Sequence, residues 1–285
     1  MAAVPPQHQH PRLSRLTCAA VRPLSTDWVA RPDSKAAPRQ TQPVGFEEWL
    51  AAAGDLLLGS SCHGCGQPCW GVCQGCRQQL ANRRPFFTTP IPCPDRFPVT
   101  VTSSAYDRTL RRMINAHKER QALILTRCLA DRLALSVQAL LTYQACGAAA
   151  SRIVLVPIPS ATRTVRRRGF DATASLARLA ARRLRPLHPM TVRSALTQSR
   201  LVADQAGLGA RARQQNLAGA FRLRKPIPDG VVVIVDDLVT TGSSLTEAAR
   251  VLREARIPVL GAATIAATVR LRPPKLPPIS RFAVD

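Results

Sequence analysis

Two adjacent carboxylates, Asp236 and Asp237, end an unbroken apolar run, Val231-Val232-Val233-Ile234-Val235, and precede a hydroxyl-rich turn, Thr240-Thr241-Gly242-Ser243-Ser244. Each part fits one task. The apolar run predicts a buried strand, and open α/β sheets bind ligands beyond the carboxyl ends of their strands. The N–H groups of the turn and the hydroxyls of Thr240, Thr241, Ser243 and Ser244 can wrap a phosphate. The N-terminus of a following helix adds partial positive charge. Gly242 lets the backbone approach closely. The carboxylates would repel that phosphate; they suit vicinal hydroxyls, whose protons they accept directly or beside Mg2+. A ribose with a 5′-phosphate asks for these groups in this order. The chain carries no G-x-x-x-x-G-K-[ST], which excludes a P-loop NTPase, and no G-x-G-x-x-G after a strand, which argues against a dinucleotide fold.

A second cluster is Cys62-His63-Gly64-Cys65 and Cys73-Gln74-Gly75-Cys76, two C-x-x-C knuckles with seven residues between them. Four thiolates, from Cys62, Cys65, Cys73 and Cys76, close a tetrahedral zinc site at about 2.3 Å per bond, and a site filled by protein on all four sides is structural. Cys69, inside the spacer, and His63, inside the first knuckle, are alternative ligands. A redox pair or unmetallated thiols are the alternative to a metal.

The remaining pattern supplies the frame. Asp107 reads as the N-cap of a helical stretch in which Leu110, Met113, Ile114, Ile124, Leu125, Cys128, Leu129 and Leu133 recur at helical spacing, ending near Gly147. Ile153 to Val156, closed by Pro157, reads as a buried strand. A helix is expected from Thr173 to Leu184, another from Ser243 to Ala255, and a returning strand from Val259 to Ala267. A short amphipathic helix is expected from Phe46 to Leu58. Strands alternating with helices argue for a parallel or mixed α/β sheet with right-handed crossovers. The expected organisation is a disordered Pro/Arg-rich tail over 1–45, a zinc ribbon over 46–81, a Pro-rich linker over 82–104, an α/β domain over 105–270, and a Pro-rich tail over 271–285.

Composition sets outer bounds. The 285 residues carry 40 Lys+Arg against 17 Asp+Glu, a formal charge of +23, which favours anionic or phosphorylated partners. The 46% apolar fraction excludes wholesale disorder. No run reaches the roughly 18 apolar residues of a membrane span, and the N-terminus does not read as a secretory signal, so the expected location is the cytoplasm. There, nine cysteines favour metal binding or catalysis over disulfides.

The acid-pair segment closely resembles the phosphoribosyl-pyrophosphate (PRPP) signature of type I phosphoribosyltransferases. The chain over roughly 46–270 is similar to the ComF family of competence-associated, amidophosphoribosyltransferase-like proteins. Carrying that resemblance are the two cysteine knuckles, the Tyr106…Ile114…Lys118 helix, Val156-Pro157-Ile158-Pro159, and Arg167-Arg168-Gly169-Phe170. Gln205…Leu208…Arg213…Asn216…Phe221 and Asp236-Asp237…Thr240-Thr241-Gly242 complete it. The resemblance implies a type I phosphoribosyltransferase-like parallel sheet flanked by helices, with a small N-terminal zinc-ribbon module.

It also implies PRPP as ligand with Mg2+, and transfer of the phosphoribosyl group to an acceptor the motif does not name. The loop from Pro157 to Ala161, with Pro157, Ile158 and Pro159 as ligand residues, would be the pyrophosphate loop. The segment from Asp236 to Ser244, with Thr240, Thr241, Gly242, Ser243 and Ser244 as ligand residues, would hold the ribose and 5′-phosphate. Asp236 and Asp237 would be the catalytic acids that fix the ribose. Lys118, Arg166, Arg167 and Arg168 would neutralise the leaving pyrophosphate. Arg163 to Phe170 and Leu201 to Asn216 would be the basic hood. The alternative is a non-enzymatic PRPP or nucleotide sensor associated with DNA and the competence machinery. One departure is that the family's Asn-Gln after Arg-Gly-Phe is here Asp171-Ala172, which removes the amide pair from any ligand contact.

Overall fold

The computed structural model describes residues 61–144, 152–198 and 219–268. The expected tails (1–45 and 271–285), the helix from Phe46 to Leu58 and the hood stretch from Leu201 to Asn216 lie outside the described residues.

The described elements are α1 (Gln74–Ala81), β1 (Phe86–Phe87), β2 (Thr100–Thr102), α2 (Arg108–Glu119), a 3-10 turn (Leu123–Leu125), α3 (Thr126–Tyr143), β3 (Ile153–Pro157), α4 (Thr162–Arg168), α5 (Ala172–Leu184), β4 (Met190–Val192), β5 (Leu196–Gln198), β6 (Phe221–Leu223), β7 (Val231–Val239), α6 (Ser243–Glu254) and β8 (Val259–Ala267). Six strands form one sheet in the order β1-β2-β8-β7-β3-β4. Only β1 runs antiparallel to its neighbour; β2, β8, β7, β3 and β4 are mutually parallel. β5 and β6 form a separate antiparallel pair. The α/β expectation is met.

Both faces of the sheet are covered, which is why its central strands read as continuous apolar runs rather than alternating ones. On one face Val233 and Val235 pack with Leu129, Leu133 and Leu140 of α3 and Leu176 and Leu184 of α5. On the other, Val232 and Ile234 pack with Leu245, Ala248 and Leu252 of α6. Fully burying a leucine or valine contributes about 1.5–3 kcal/mol, so these two layers hold the sheet against its ordering entropy.

The chain leaves β3 through α4 and α5 to reach β4 on one side, and leaves β7 through α6 to reach β8 on the other. Neighbouring β3 and β7 are therefore the point where the winding direction changes. In open α/β sheets ligands bind at such a point, in the crevice beyond the carboxyl ends of the two strands.

Two sequence expectations are corrected here. Residues 82–104 are not a linker: β2 pairs with β8 (Thr100↔Ala262, Thr102↔Thr264) and β1 with β2. Prolines fill the connection between these two strands and masked them. The helical stretch after Asp107 is two helices, α2 and α3, separated by residues 120–125, where Gln121 takes φ 53°. Asp107 caps α2 as expected, its Oδ1 accepting the Leu110 N–H at 2.9 Å.

Arg132 of α3, unremarkable in sequence, is 3% exposed and donates to the carbonyls of Arg83 (2.8 Å) and Ser103 (2.6 Å). It ties the exit of the cysteine module to the end of β2. Burial, with the nearby Arg83 charge, lowers its pKa to about 10.

Candidate functional site

The acid pair does not follow the strand but lies inside it: β7 continues through Asp236 and Asp237 to Val239, paired with β8 at Asp236↔Thr264 and Leu238↔Ala266. Strand alternation starts the two side chains from opposite faces of β7, yet their carboxyls remain close enough to interact, and the Lys118 charge is felt by both. Asp237 follows Val233 and Val235 toward α2, is 3% exposed, and takes the Lys118 ammonium on Oδ2 at 2.5 Å. The two acids of the sequence reading are thus not equivalent. Asp236 is only partly buried, and its Oδ1 accepts the Asp237 N–H at 2.8 Å. Burial first, and the neighbouring Asp237 charge second, push its carboxyl well above the ordinary carboxylate range. A hydroxyl donor or a cation arriving there would relieve that cost.

After Val239 the chain makes the turn that opens α6. Gly242 sits in the left-handed region at φ 75° as the N-cap residue, and it supplies no side-chain cap to the first-turn N–H groups. Thr240 is exposed, and Thr241 Oγ1 and Ser243 Oγ lie 3.0 Å apart. Ser244 is partly buried. The turn is backed by the β1–β2 connection: a Cβ at Gly242 would meet Phe97 Cε2 at 2.6 Å and Pro90 Cγ at 2.8 Å. Beside it, Pro157 pairs in register with Val235, Ile158 N donates to Val235 O at 2.9 Å, and Pro159 O accepts from Gln198 at 3.1 Å. The structure therefore brings Pro157 to Pro159 and Asp236 to Ser244 together at the switch point of the sheet.

The last turn of α2 closes one side. His117 is 1% exposed, its Nε2 lies 3.1 Å from Thr126 Oγ1, and its ring meets the edge of Phe170 at 5.5 Å. Burial lowers the His117 pKa. Lys118 is held protonated: burial opposes its charge, but Asp237 and Asp236 outweigh that and raise its pKa. Glu119 takes Arg168 and Arg167 of α4 on its two oxygens. Sequence reasoning placed Lys118, Arg167 and Arg168 at the site but missed Glu119 and the pairing of Lys118 with Asp237. Asp171 caps α5, its Oδ1 accepting the Ala174 N–H at 3.0 Å. The departure from the family's Asn at this position retains a side chain that can cap.

The second cluster is assembled as spaced. The thiols of Cys62, Cys65, Cys73 and Cys76 all lie within 4.8 Å of one another, and Cys69 is not in that group. Cys65 and Cys73 sulfurs are 3.6 Å apart. Burial would raise the Cys62 thiol, but the N–H groups of Cys73, Cys65 and Gly64 outweigh it and hold its pKa at about 5. Burial and the neighbouring sulfurs push Cys76 up. Thiols that resist sharing negative charge this way fit a soft divalent cation placed between them, such as zinc. The knuckles rest on α2: Arg112 Nη1 donates to Cys65 O at 3.1 Å, and a Cβ at Gly64 would meet Thr109 at 3.0 Å.

Comparison with known proteins agrees with this arrangement. The phosphoribosyl transferase domain matches residues 171–281, which include β7, the acid pair and the turn. The DNA utilization protein YhgH of Salmonella typhimurium is 31% identical over 198 residues, covering 64% of this chain and 84% of that protein. The chain belongs to the ComF family. YhgH of Escherichia coli K12 is 41% identical over 98 residues, a match that spans 34% of this chain and 42% of the relative's length. Competence protein F of Haemophilus influenzae is 45% identical over 53 residues, 18% of this chain and 23% of its own. Among the described residues of this ComF-family chain, no helix is long and apolar enough to cross a membrane.

Proposed function

We propose that the crevice beyond β3 and β7 binds PRPP with Mg2+, and that the protein transfers its phosphoribosyl group to an acceptor nucleophile. The observation that carries this reading is the uncapped, left-handed opening of α6 beside the partly buried Asp236 at the sheet's switch point. The Thr240-to-Ser244 turn holds the 5′-phosphate with backbone N–H groups and hydroxyls. Asp236 accepts from the ribose diol. Asp237 acts at one remove, keeping the Lys118 ammonium in place. Lys118 and Arg168 offset charge that builds on the departing pyrophosphate as the C1–O bond breaks. Mg2+ would arrive with the pyrophosphate and add to that neutralisation. Structural zinc fills the Cys62, Cys65, Cys73 and Cys76 site and fixes the ribbon against α2.

The chain's similarity to a DNA utilization protein and a competence protein favours a second role in handling DNA. The formal charge of +23 supports contact with a polyanion. A screen of nucleobases and amines with labelled PRPP and Mg2+ tests transfer. Acceptor-dependent pyrophosphate release that Asp236→Asn abolishes supports the enzyme. PRPP binding with no acceptor consumed would leave only the sensor.

A further inference from the structure

Glu119 is the last residue of α2, and nothing in its sequence context marks it. In the fold it is the one carboxylate that α4 meets among the described residues. Its Oε1 takes Arg168 Nη2, and its Oε2 takes Arg167 Nη2 at 3.3 Å. The adjacent Lys118 is at the same time fixed on Asp237. Two neighbouring residues of α2 thus hold two charged arms of the crevice. The hold on Arg168 is the stronger, since its side chain is 13% exposed against 73% for Arg167. The Nε of Arg168 is buried without a hydrogen-bond partner, so this guanidinium keeps an unused donor. Arg168 also stands close enough to Lys118 for their charges to repel.

The far end of α4 is closed by a glycine cap, whose N–H donates to Val165 O at 2.8 Å. This glycine, Gly169, takes φ 73°, and a Cβ there would meet nothing within 4 Å. Phe170, next in the chain, is anchored edge-on to His117. A short basic helix is therefore held at one end by an apolar ring contact and along its basic side by a half-exposed carboxylate.

We infer that Glu119 is an internal counter-anion: it latches α4 in the ligand-free protein and competes with the ligand's pyrophosphate for Arg168 and Arg167. The inference rests on the PRPP reading for the identity of the competing anion. An exposed ion pair contributes up to about 1 kcal/mol, so removing the competitor should tighten anion binding by up to about fivefold at 1.4 kcal/mol per tenfold. A merely structural role for Glu119 has the opposite sign, because a loosened arm would weaken binding.

The test uses the full chain, wild type against Glu119→Gln, with Glu119→Asp as the conservative variant. Hydrogen exchange of residues 162–168 without ligand reads the latch itself. Calorimetry with inorganic pyrophosphate, and separately with PRPP, each with Mg2+, reads the competition. The latch requires faster exchange in Glu119→Gln, tighter pyrophosphate binding by about two- to fivefold, and both values returning toward wild type in Glu119→Asp. Unchanged exchange, or affinity that is equal or weaker, overturns it. If wild type binds pyrophosphate but not PRPP, the phosphoribosyl reading falls while the latch is still decided by exchange and pyrophosphate. If wild type binds neither anion, both fall.

Discussion

Replacing Lys118 by Met leaves Asp237 as an unpaired carboxylate inside the sheet. Asp237 is 3% exposed, and the side chain of Lys118 is 30% exposed. Removing one partner of a buried ion pair costs about 3–5 kcal/mol, and the partial access of water to Lys118 puts the cost near the lower end, about 3 kcal/mol. For a domain of this size that is a fall in Tm of about 6–12 °C. An exposed pair would cost no more than about 1 kcal/mol, so the magnitude separates the two descriptions. The second site completes the argument. Asp237→Asn in the Lys118→Met background removes the orphaned charge and should recover most of the loss, giving a coupling energy of about 2 kcal/mol in a double-mutant cycle. The pH dependence has a definite sign. The folded-state pKa of Lys118 is raised, so the pair's contribution is complete below the ordinary lysine pKa and fades only as alkali deprotonates Lys118 in the fold. Denaturant unfolding at neutral and alkaline pH measures all of this. A Lys118→Met protein within 1 kcal/mol of wild type at pH 7 would refute the buried pair, and so would an absence of coupling with Asp237.

Other outcomes follow from the same geometry. Gly242→Ala combines a left-handed φ of 75° with a Cβ at 2.6 Å from Phe97, so it should cost about 2–4 kcal/mol in unfolding free energy and displace the turn, weakening phosphate-ligand binding. The four-thiol site predicts about one zinc per chain by metal analysis of reduced protein, and Cys62→Ser should release that metal and lower Tm. Asp107→Ala removes both the cap of α2 and the partner of Arg83, and thermal melts should show a loss of about 1–2 kcal/mol.

Much of the frame is readable from single segments. β3, β7 and β8 are continuous apolar runs because both sheet faces are covered, and that signal is local. Asp107 announces α2 for the same reason: a cap acts within one turn. The turn from Thr240 to Ser244 is legible because small hydroxyl residues around a glycine mark a tight turn that opens a helix. What stayed hidden depends on residues far apart in the chain. Strands of two or three residues among prolines, such as β1 and β2, have too little pattern to read; β2 exists because β8 offers it an edge, and β1 because β2 does. The pairing of Lys118 with Asp237, and of Glu119 with Arg167 and Arg168, joins positions that no spacing rule connects. The strand reads as ending at Val235 because two adjacent carboxylates interrupt the apolar run, whereas β7 continues through them to Val239.

The central claim is that Asp236, and not Asp237, meets the ligand's diol. Calorimetric titration of PRPP with Mg2+ into wild type and Asp236→Asn, with Tm recorded on the same samples, tests it most directly. Losing a charged hydrogen-bond acceptor costs about 1.5–3 kcal/mol, a tenfold to roughly hundredfold weaker affinity. Stability should move the other way. The Asp236 carboxyl is raised in the fold, so it lowers stability as pH climbs from the ordinary carboxylate pKa to the folded one, and removing the charge at pH 7 should raise Tm. Weaker binding together with a higher Tm is the predicted result; unchanged PRPP affinity in Asp236→Asn, or no PRPP binding by wild type, contradicts the account.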